Sequence, residues 1–198
     1  MEALIYDIEI VKAIPNKDGS KLAGIEYCAG WQDHANMGVA TLCAYDYKDD
    51  RYRVFCKDNL ADFIELAKDR MPVGFNNIAF DSKVLNAVTP FDETGQYDLL
   101  VEIWAACGLG PTFNFKTHGG FGLDIMCETN FGTKKTGHGA LAPVDWQRGN
   151  IGAVIDYCLN DIKLTKQLFD EVLAGRDIKN PKGGTLMLRC PYPAILRR

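Results

Sequence analysis

The sequence predicts an α/β domain with a mixed central sheet, three antiparallel strands followed by parallel strands, flanked by helices. Three observations carry this. An apolar strand, "ALIYDIEIV", opens the chain and is followed by two apolar runs separated by the turn-like "KDD"; helix-periodic segments then alternate with a short apolar run; and a long amphipathic helix lies near residue 160.

Taken in order, Ala3–Val11 reads as a strand, followed by the polar connection "PNKDGSK" and a second region over Leu22–Trp31. Met37–Tyr47 and Arg51–Cys56 read as an antiparallel hairpin. "NLADFIELAKDRM" places Leu60, Phe63, Ile64 and Ala67 on one helical face, Pro72 stops it, and "PVGF" is a short buried strand. "DSKVLNAV" and "YDLLVEIWAACG" read as helices, the second ending at Gly108. A Gly-rich loop, "LGPTFNFKTHGGFG", leads to a short helix over Leu123–Thr129. A second loop, "FGTKKTGHGALAP", leads to the long helix from about Asn150 to Leu173. The tail from 174 to 198 adds a short strand or wraps the surface. With no internal repeat, low-complexity tract or linker, residues 1–198 are expected to form a single domain.

Composition excludes several classes. At 47% apolar and 24% charged residues, disorder is not expected. No apolar run approaches the roughly 18 to 20 residues of a membrane span, and "MEALIYDIEIV" lacks the basic start of a secretory signal. A cytoplasmic protein is expected. Seven scattered cysteines without CxxC spacing and three histidines without HxxxH spacing argue against a disulfide framework or a zinc site. A net charge of −4 argues against binding nucleic acid through a lysine-coated surface alone. It leaves open an enzyme built from carboxylates and divalent cations.

Carboxylates stand where apolar residues belong. In "LIYDIEIV", Asp7 and Glu9 share one face of the strand, about 6.5 to 7 Å apart; they are either two solvated acids on an edge strand or a pair bridged by a cation. In "VGFNNIAFDSKVL", Asp81 opens a helix and is either its N-cap or a site residue. At about 100° per residue, Asp161 falls in the apolar arc formed by Val154, Cys158, Ile162, Leu164, Thr165, Leu168 and Phe169, with Tyr157 one turn before it. An ionised carboxylate there costs several kcal/mol unless paired with a Lys or Arg or bound to metal.

"DIE", "NNIAFD" and "YCLND", in this order and on these elements, resemble the three Exo motifs of the DEDD exonucleases, 3′-to-5′ nucleases with an RNase H-like fold. The resemblance covers about residues 3 to 173. Tyr157, four before Asp161, resembles the DEDDy version; Asp156 stands where the other version has His. The "YDLLVEIW" and "GLDIMCETNFG" segments resemble the elements after the second motif, and "KTGHGALAPVDW" is similar to a loop of a bacterial and phage subset.

The resemblance implies catalytic and metal-binding roles for Asp7, Glu9, Asp81 and Asp161 around two divalent cations, Mg²⁺ or Mn²⁺, with Tyr157 orienting the attacking water. It implies that Ile8 lies under the terminal nucleotide and that Asn77, with Asn76 as the other candidate, is the Asn of the second motif. Phe80 is either a base platform or core. Lys134, Lys135 and His138 either touch phosphates or belong to a solvated loop. Trp146, Phe113 and Phe115 are further candidates for stacking, against an ordinary structural role.

The expected function is metal-dependent 3′-to-5′ hydrolysis of nucleic acid with a free 3′ end, single-stranded DNA foremost, releasing 5′-mononucleotides. The alternatives are an RNA-directed exoribonuclease or an inactive RNase H-like module that binds nucleic acid or protein. A decayed site should lose at least one acid, and all four acids and the Tyr are present. An endonuclease on the same fold fits Tyr157 less well.

Overall fold

The computed structural model of the chain describes residues 1–133 and 139–192. Its centre is β1 (Ala3–Ile10), whose alternating side chains serve two cores: Leu4, Tyr6, Ile8 and Ile10 enter one, Ala3 and Ile5 the other. β2 (Val39–Asp46) pairs antiparallel with β1 and with β3 (Arg51–Cys56). On the other side β4 (Met71–Gly74) and β5 (Tyr97–Asp98) continue the sheet in parallel. The order β3-β2-β1-β4-β5 is the mixed sheet expected from the sequence.

Helices cover both faces. On the Leu4 face lie α1 (His34–Met37), α2 (Leu60–Ala67) and α3 (Asp81–Val88). Phe63 of α2 is fully buried among the rings of Tyr6, Phe55 and Phe91, at centroid distances of 5.5, 5.5 and 6.0 Å. On the Ala3 face lie α4 (Leu99–Ala106), α5 (Leu123–Phe131) and α7 (Ile151–Leu173), with the short α6 (Ala142–Gln147) leading into α7. Among the described residues, no helix is long and apolar enough to cross a membrane.

In the region Leu22–Trp31, Tyr27 makes an isolated bridge to Ala13, and Leu22 and Trp31 are exposed. Three segments differ from the sequence reading. Tyr97 and Asp98 form β5 before the helix begins. The loop preceding α7 contains a 3-10 turn at Gly139–Leu141 and then α6, whose Pro143 suits a first helical turn. The tail forms a separate hairpin, β6 (Ile178–Lys179) and β7 (Thr185–Leu186), and then crosses β5, where the Tyr97 hydroxyl donates to the Arg189 carbonyl at 2.7 Å.

Two buried acids hold the sheet ends. Asp98 caps α4 through the amides of Leu100 and Val101, at 2.9 and 3.4 Å, and also accepts from the amides of Asn76 and Ile78, at 2.9 and 3.1 Å. One carboxylate thus joins the turn after β4 to the start of α4. At the opposite end of the sheet Asp46 is fully buried against Arg70 Nε at 3.1 Å and Arg53 Nη2 at 3.2 Å, and accepts from the Lys48 amide at 3.0 Å. Burial alone would raise the Asp46 carboxyl; the Arg70, Lys48 and Arg53 bonds outweigh it and hold the group below its ordinary value.

Two expectations follow. Asp98→Ala should lower stability in urea unfolding by about 2 kcal/mol or more, since it strands buried amides, and should raise hydrogen exchange at Asn76 and Ile78; unchanged exchange there would show that Asp98 does not hold the turn. Asp46→Asn should cost about 3 kcal/mol at neutral pH by leaving Arg70 without its buried partner. The depressed Asp46 carboxyl contributes stability above its unfolded pKa and loses it as pH falls through the folded value, so the gap between variant and wild type should narrow below about pH 4. A gap independent of pH would assign the loss to packing instead.

Candidate metal centre

The acid cluster begins in the period of β1. Asp7 and Glu9 follow Ala3 and Ile5 on the face that looks toward α7, so a face that starts as core becomes acidic at its C-terminal end. Across the strand pair Asp7 stands opposite Cys43 and Glu9 opposite Thr41, and the register shifts between Glu9 and Ile10. From α7, the Cys158 thiol donates to the carbonyl and to Oδ2 of Asp7, each at 3.5 Å. Ligand atoms of Asp7, Glu9 and Cys158 lie within 4.8 Å of one another.

The turn after β4 brings the third acid. Gly74 is required there, because a Cβ would come within 2.6 Å of Asn77 Cβ. Asn76 takes φ 69°, a left-handed conformation that Asn tolerates better than most residues. The side chain of Asn77 is fully buried and donates to Gln96 Oε1 at 2.6 Å; Ser82 Oγ donates to the same oxygen at 2.8 Å and lies 2.7 Å from the Tyr6 hydroxyl. Phe80, not Asp81, occupies the cap position of α3, and no side chain caps the helix. The Asp81 carboxylate instead accepts the backbone N–H of Ile8 at 3.0 Å, which joins the two motifs directly.

The fourth acid, Asp161, lies on the buried face of α7 at 4% exposure. Its charge reaches Asp81. Burial, opposed by the Ile8 amide and reinforced by the negative charges of Asp98 and Asp161, pushes the Asp81 carboxyl up to about 7. Asp7 and Glu9 thus group with Cys158, Asp81 feels the charges of Asp98 and Asp161, and the Ile8 amide, between Asp7 and Glu9 in sequence, joins the two sets through its bond to Asp81. The Tyr157 hydroxyl lies against Gly139, where an added Cβ would sit 3.2 Å from it. Burial, the neighbouring Cys43 thiol and the charges of Asp7 and Glu9 raise the Cys158 thiol well above its ordinary value, which makes it a neutral donor and not a nucleophile.

A divalent cation suits this donor set. The acids offer hard oxygen ligands of the kind Mg²⁺ and Mn²⁺ take, and a cation beside Asp81 would offset both the burial that raises its carboxyl and the smaller effect of the Asp98 and Asp161 charges.

The remaining expected residues separate. Ile8 is buried, with its amide engaged by Asp81. Asn77 has no exposed surface, and its side-chain amide donates to Gln96 Oε1. Phe80 is half-buried, and its ring meets Trp31 and His34, each at a centroid distance of 5.9 Å. Phe113 and Phe115 are exposed on the long loop, and Trp146 is half-buried in α6. Lys134, Lys135 and His138 lie outside the described residues.

Sequence reasoning missed the contacts of Asp98 and Cys158. An Asp immediately before an apolar helical run was a readable cap signal for Asp98. Cys158 had no local signal, since its partner Asp7 comes from a distant segment.

No family model matches the sequence, and no curated protein matches it. Solved structures do resemble the fold. The family B DNA polymerase from the hyperthermophilic archaeon Pyrobaculum calidifontis superposes with a TM-score of 0.56 at 18% identity, over 87% of this chain and 24% of that one. A chain of an ExoI/SSB-Ct complex gives a TM-score of 0.39 at 16% identity, over 87% of this chain and 44% of that one. The chain therefore spans about a quarter of the length of the polymerase it resembles, and at this identity the likeness is one of fold.

Proposed function

We propose that the protein is a metal-dependent 3′-to-5′ exonuclease that removes 5′-mononucleotides from nucleic acid with a free 3′ end, single-stranded DNA foremost. Fold alone does not license this. The observation that supports it is the link between two sets of acids: Asp7 and Glu9 side by side on β1, and Asp81, bonded to the Ile8 amide between them and pushed up by burial and, less, by the charges of Asp98 and Asp161.

Asp7, Glu9, Asp81 and Asp161 would hold two divalent cations, which when bound supply an attacking water at neutral pH and offset charge on the leaving oxygen. The chain's own residues do the positioning. Ile8 fixes the Asp81 carboxylate through its amide. Cys158 fixes Asp7 by donating to both its carbonyl and its carboxylate. Tyr157, one turn before Asp161 on α7, orients the water through its hydroxyl, as a positioned side chain does in proton-transfer catalysis.

Incubation of 3′- and 5′-labelled single-stranded DNA and RNA with Mg²⁺ or Mn²⁺ tests this. Wild-type protein should shorten strands from the 3′ end and stop in EDTA. Asp161→Ala should lose about 10³-fold or more in rate, because metal-supplied stabilisation is worth several kcal/mol, and Tyr157→Phe should lose about 10²-fold. The reading fails if wild type degrades neither strand, or if Asp161→Ala is equally active.

Metal affinity should depend on pH. A cation must displace the proton that Asp81 carries below about 7, so Mn²⁺ binding measured by calorimetry should strengthen as pH rises through that value. The dependence should flatten in Asp81→Asn; an unaltered profile in that variant would remove Asp81 from the site.

A further inference from the structure

The turn that presents Asp81 is gripped by a side chain from the segment just before β5. Gln96 Oε1 accepts from Asn77 Nδ2 at 2.6 Å, from Ser82 Oγ at 2.8 Å and from the Tyr6 hydroxyl at 3.0 Å. All three donor residues are buried, and the Tyr6 and Ser82 hydroxyls lie 2.7 Å apart. An amide oxygen offers two lone pairs, and the protons match them. Asn77 supplies one, one hydroxyl supplies the second, and the other hydroxyl donates to its neighbour. Asn77 Oδ1 and Gln96 Nε2 are buried with no hydrogen-bond partner among the described residues, so the other ends of these two amides add no hold. A single oxygen gathers three side chains.

Those side chains flank the acids. Tyr6 precedes Asp7, and Ser82 follows Asp81. Asn77 also closes the backbone of the turn, its carbonyl accepting from the Ser82 amide at 2.9 Å. Ser82 lies in the first turn of α3, so tying its side chain fixes the rotation of that turn and the direction in which Asp81, one position earlier, leaves it. The hub is also within reach of the Asp81 charge: after burial, that charge does most to raise the Tyr6 phenol above its ordinary value, which keeps it a donor. Two residues after Gln96, Asp98 holds the amides of Asn76 and Ile78, while Tyr97 between them is buried in the core on the Ala3 face. Asp98 grips the turn by its backbone, and Gln96 grips it by its side chains.

We infer that Gln96 is a positioning residue for the metal centre: its side-chain oxygen ties Asn77 and Ser82 to Tyr6 and so keeps the Asp81 carboxylate on the Ile8 amide, between Asp7 and Glu9. This rests on the reading of the acids as a nuclease centre. Metal ligands must be held to a fraction of an ångström by the groups behind them. A loosened turn is therefore felt as weaker cation binding before the fold is lost.

The test uses Gln96→Met, which keeps the length and removes the acceptor, Gln96→Glu, which keeps the acceptor, and Ser82→Ala, which removes one donor. Asp46→Asn, at the opposite end of the sheet, controls for lost stability. At a fixed pH of about 8, above the Asp81 value, the readouts are the Ile8 amide proton shift by NMR, Mn²⁺ affinity by calorimetry, and hydrolysis of labelled single-stranded DNA. Gln96→Met should move the Ile8 signal upfield, weaken Mn²⁺ binding about tenfold and lower kcat about tenfold at an unchanged KM. Gln96→Glu should recover most of each, Ser82→Ala should show the same changes in smaller degree, and Asp46→Asn should show none. If Gln96→Met does not fold, Ser82→Ala reads the same bond from its other end, and wild-type values there overturn the inference. Wild-type Mn²⁺ affinity with an unmoved Ile8 signal in Gln96→Met, no recovery in Gln96→Glu, or an equal loss in Asp46→Asn also overturns it, while the nuclease reading stands. If wild type hydrolyses nothing and Gln96→Met still weakens Mn²⁺ and moves Ile8, the positioning role stands and the nuclease reading falls.

Discussion

Repulsion among carboxylates is the constraint that the rest of the structure has to meet. Two unit charges about 5 Å apart repel by roughly 3 kcal/mol at an effective dielectric near 20, and Asp7 lies beside Glu9 on β1 while Asp81 feels the charges of Asp98 and Asp161. Burial makes each charge more expensive still, which is why the Asp81 carboxyl is pushed up to about 7. A chain free to relax would turn these groups outward. Here they are held inward by bonds that leave them little choice: the Ile8 amide on Asp81, the Cys158 thiol on Asp7, and four backbone amides on Asp98.

The energy that holds this arrangement comes from elsewhere in the chain. β1 carries both the core and the site, with Leu4, Tyr6, Ile8 and Ile10 buried on one face and Ala3 and Ile5 on the other before that face turns acidic. Each large side chain buried there contributes about 2 kcal/mol, enough in aggregate for a strand paired on both sides to tolerate two carboxylates at its end. α7 works the same way. Cys158, Ile162, Leu168 and Phe169 fix its rotation against the sheet, and Asp161 is carried inward by that rotation. The site is thus a by-product of two apolar surfaces that continue past the point where burial is favourable.

Period made much of this legible. Alternation along β1 puts Asp7 and Glu9 on one face, and helical spacing puts Asp161 and Tyr157 on the inner side of α7; both readings need only neighbours in sequence. The order of strands followed from the same patterns. What escaped was non-local or too short to have a period. β5 is two residues long, less than one alternation, and merged with the helix that follows it. Asp81 had a sound local reading as a cap, and the competing partner, the Ile8 amide, is 73 residues away. The partner of the buried Asn77 amide, Gln96, lies in a later segment whose sequence gives no sign of the contact. Trp31 lies in a polar stretch whose position depends on Gln147, more than a hundred residues later.

These failures share a direction, and that says something about how the molecule divides its work. Residues that carry charge stand on a strand and two helices, where backbone geometry dictates their aim and sequence reveals it. The exposed Trp31 and Gly139, which lies against the Tyr157 hydroxyl, stand instead on irregular segments tied down by single side chains. Rigid elements suit the charges, because carboxylates that repel one another must be prevented from moving apart for a cation to find them preorganised. The same logic explains why the sheet itself is so ordinary. It needs only to bring three carboxylate-bearing elements to one end and hold them there, and what enters is left to the loops that the sheet supports.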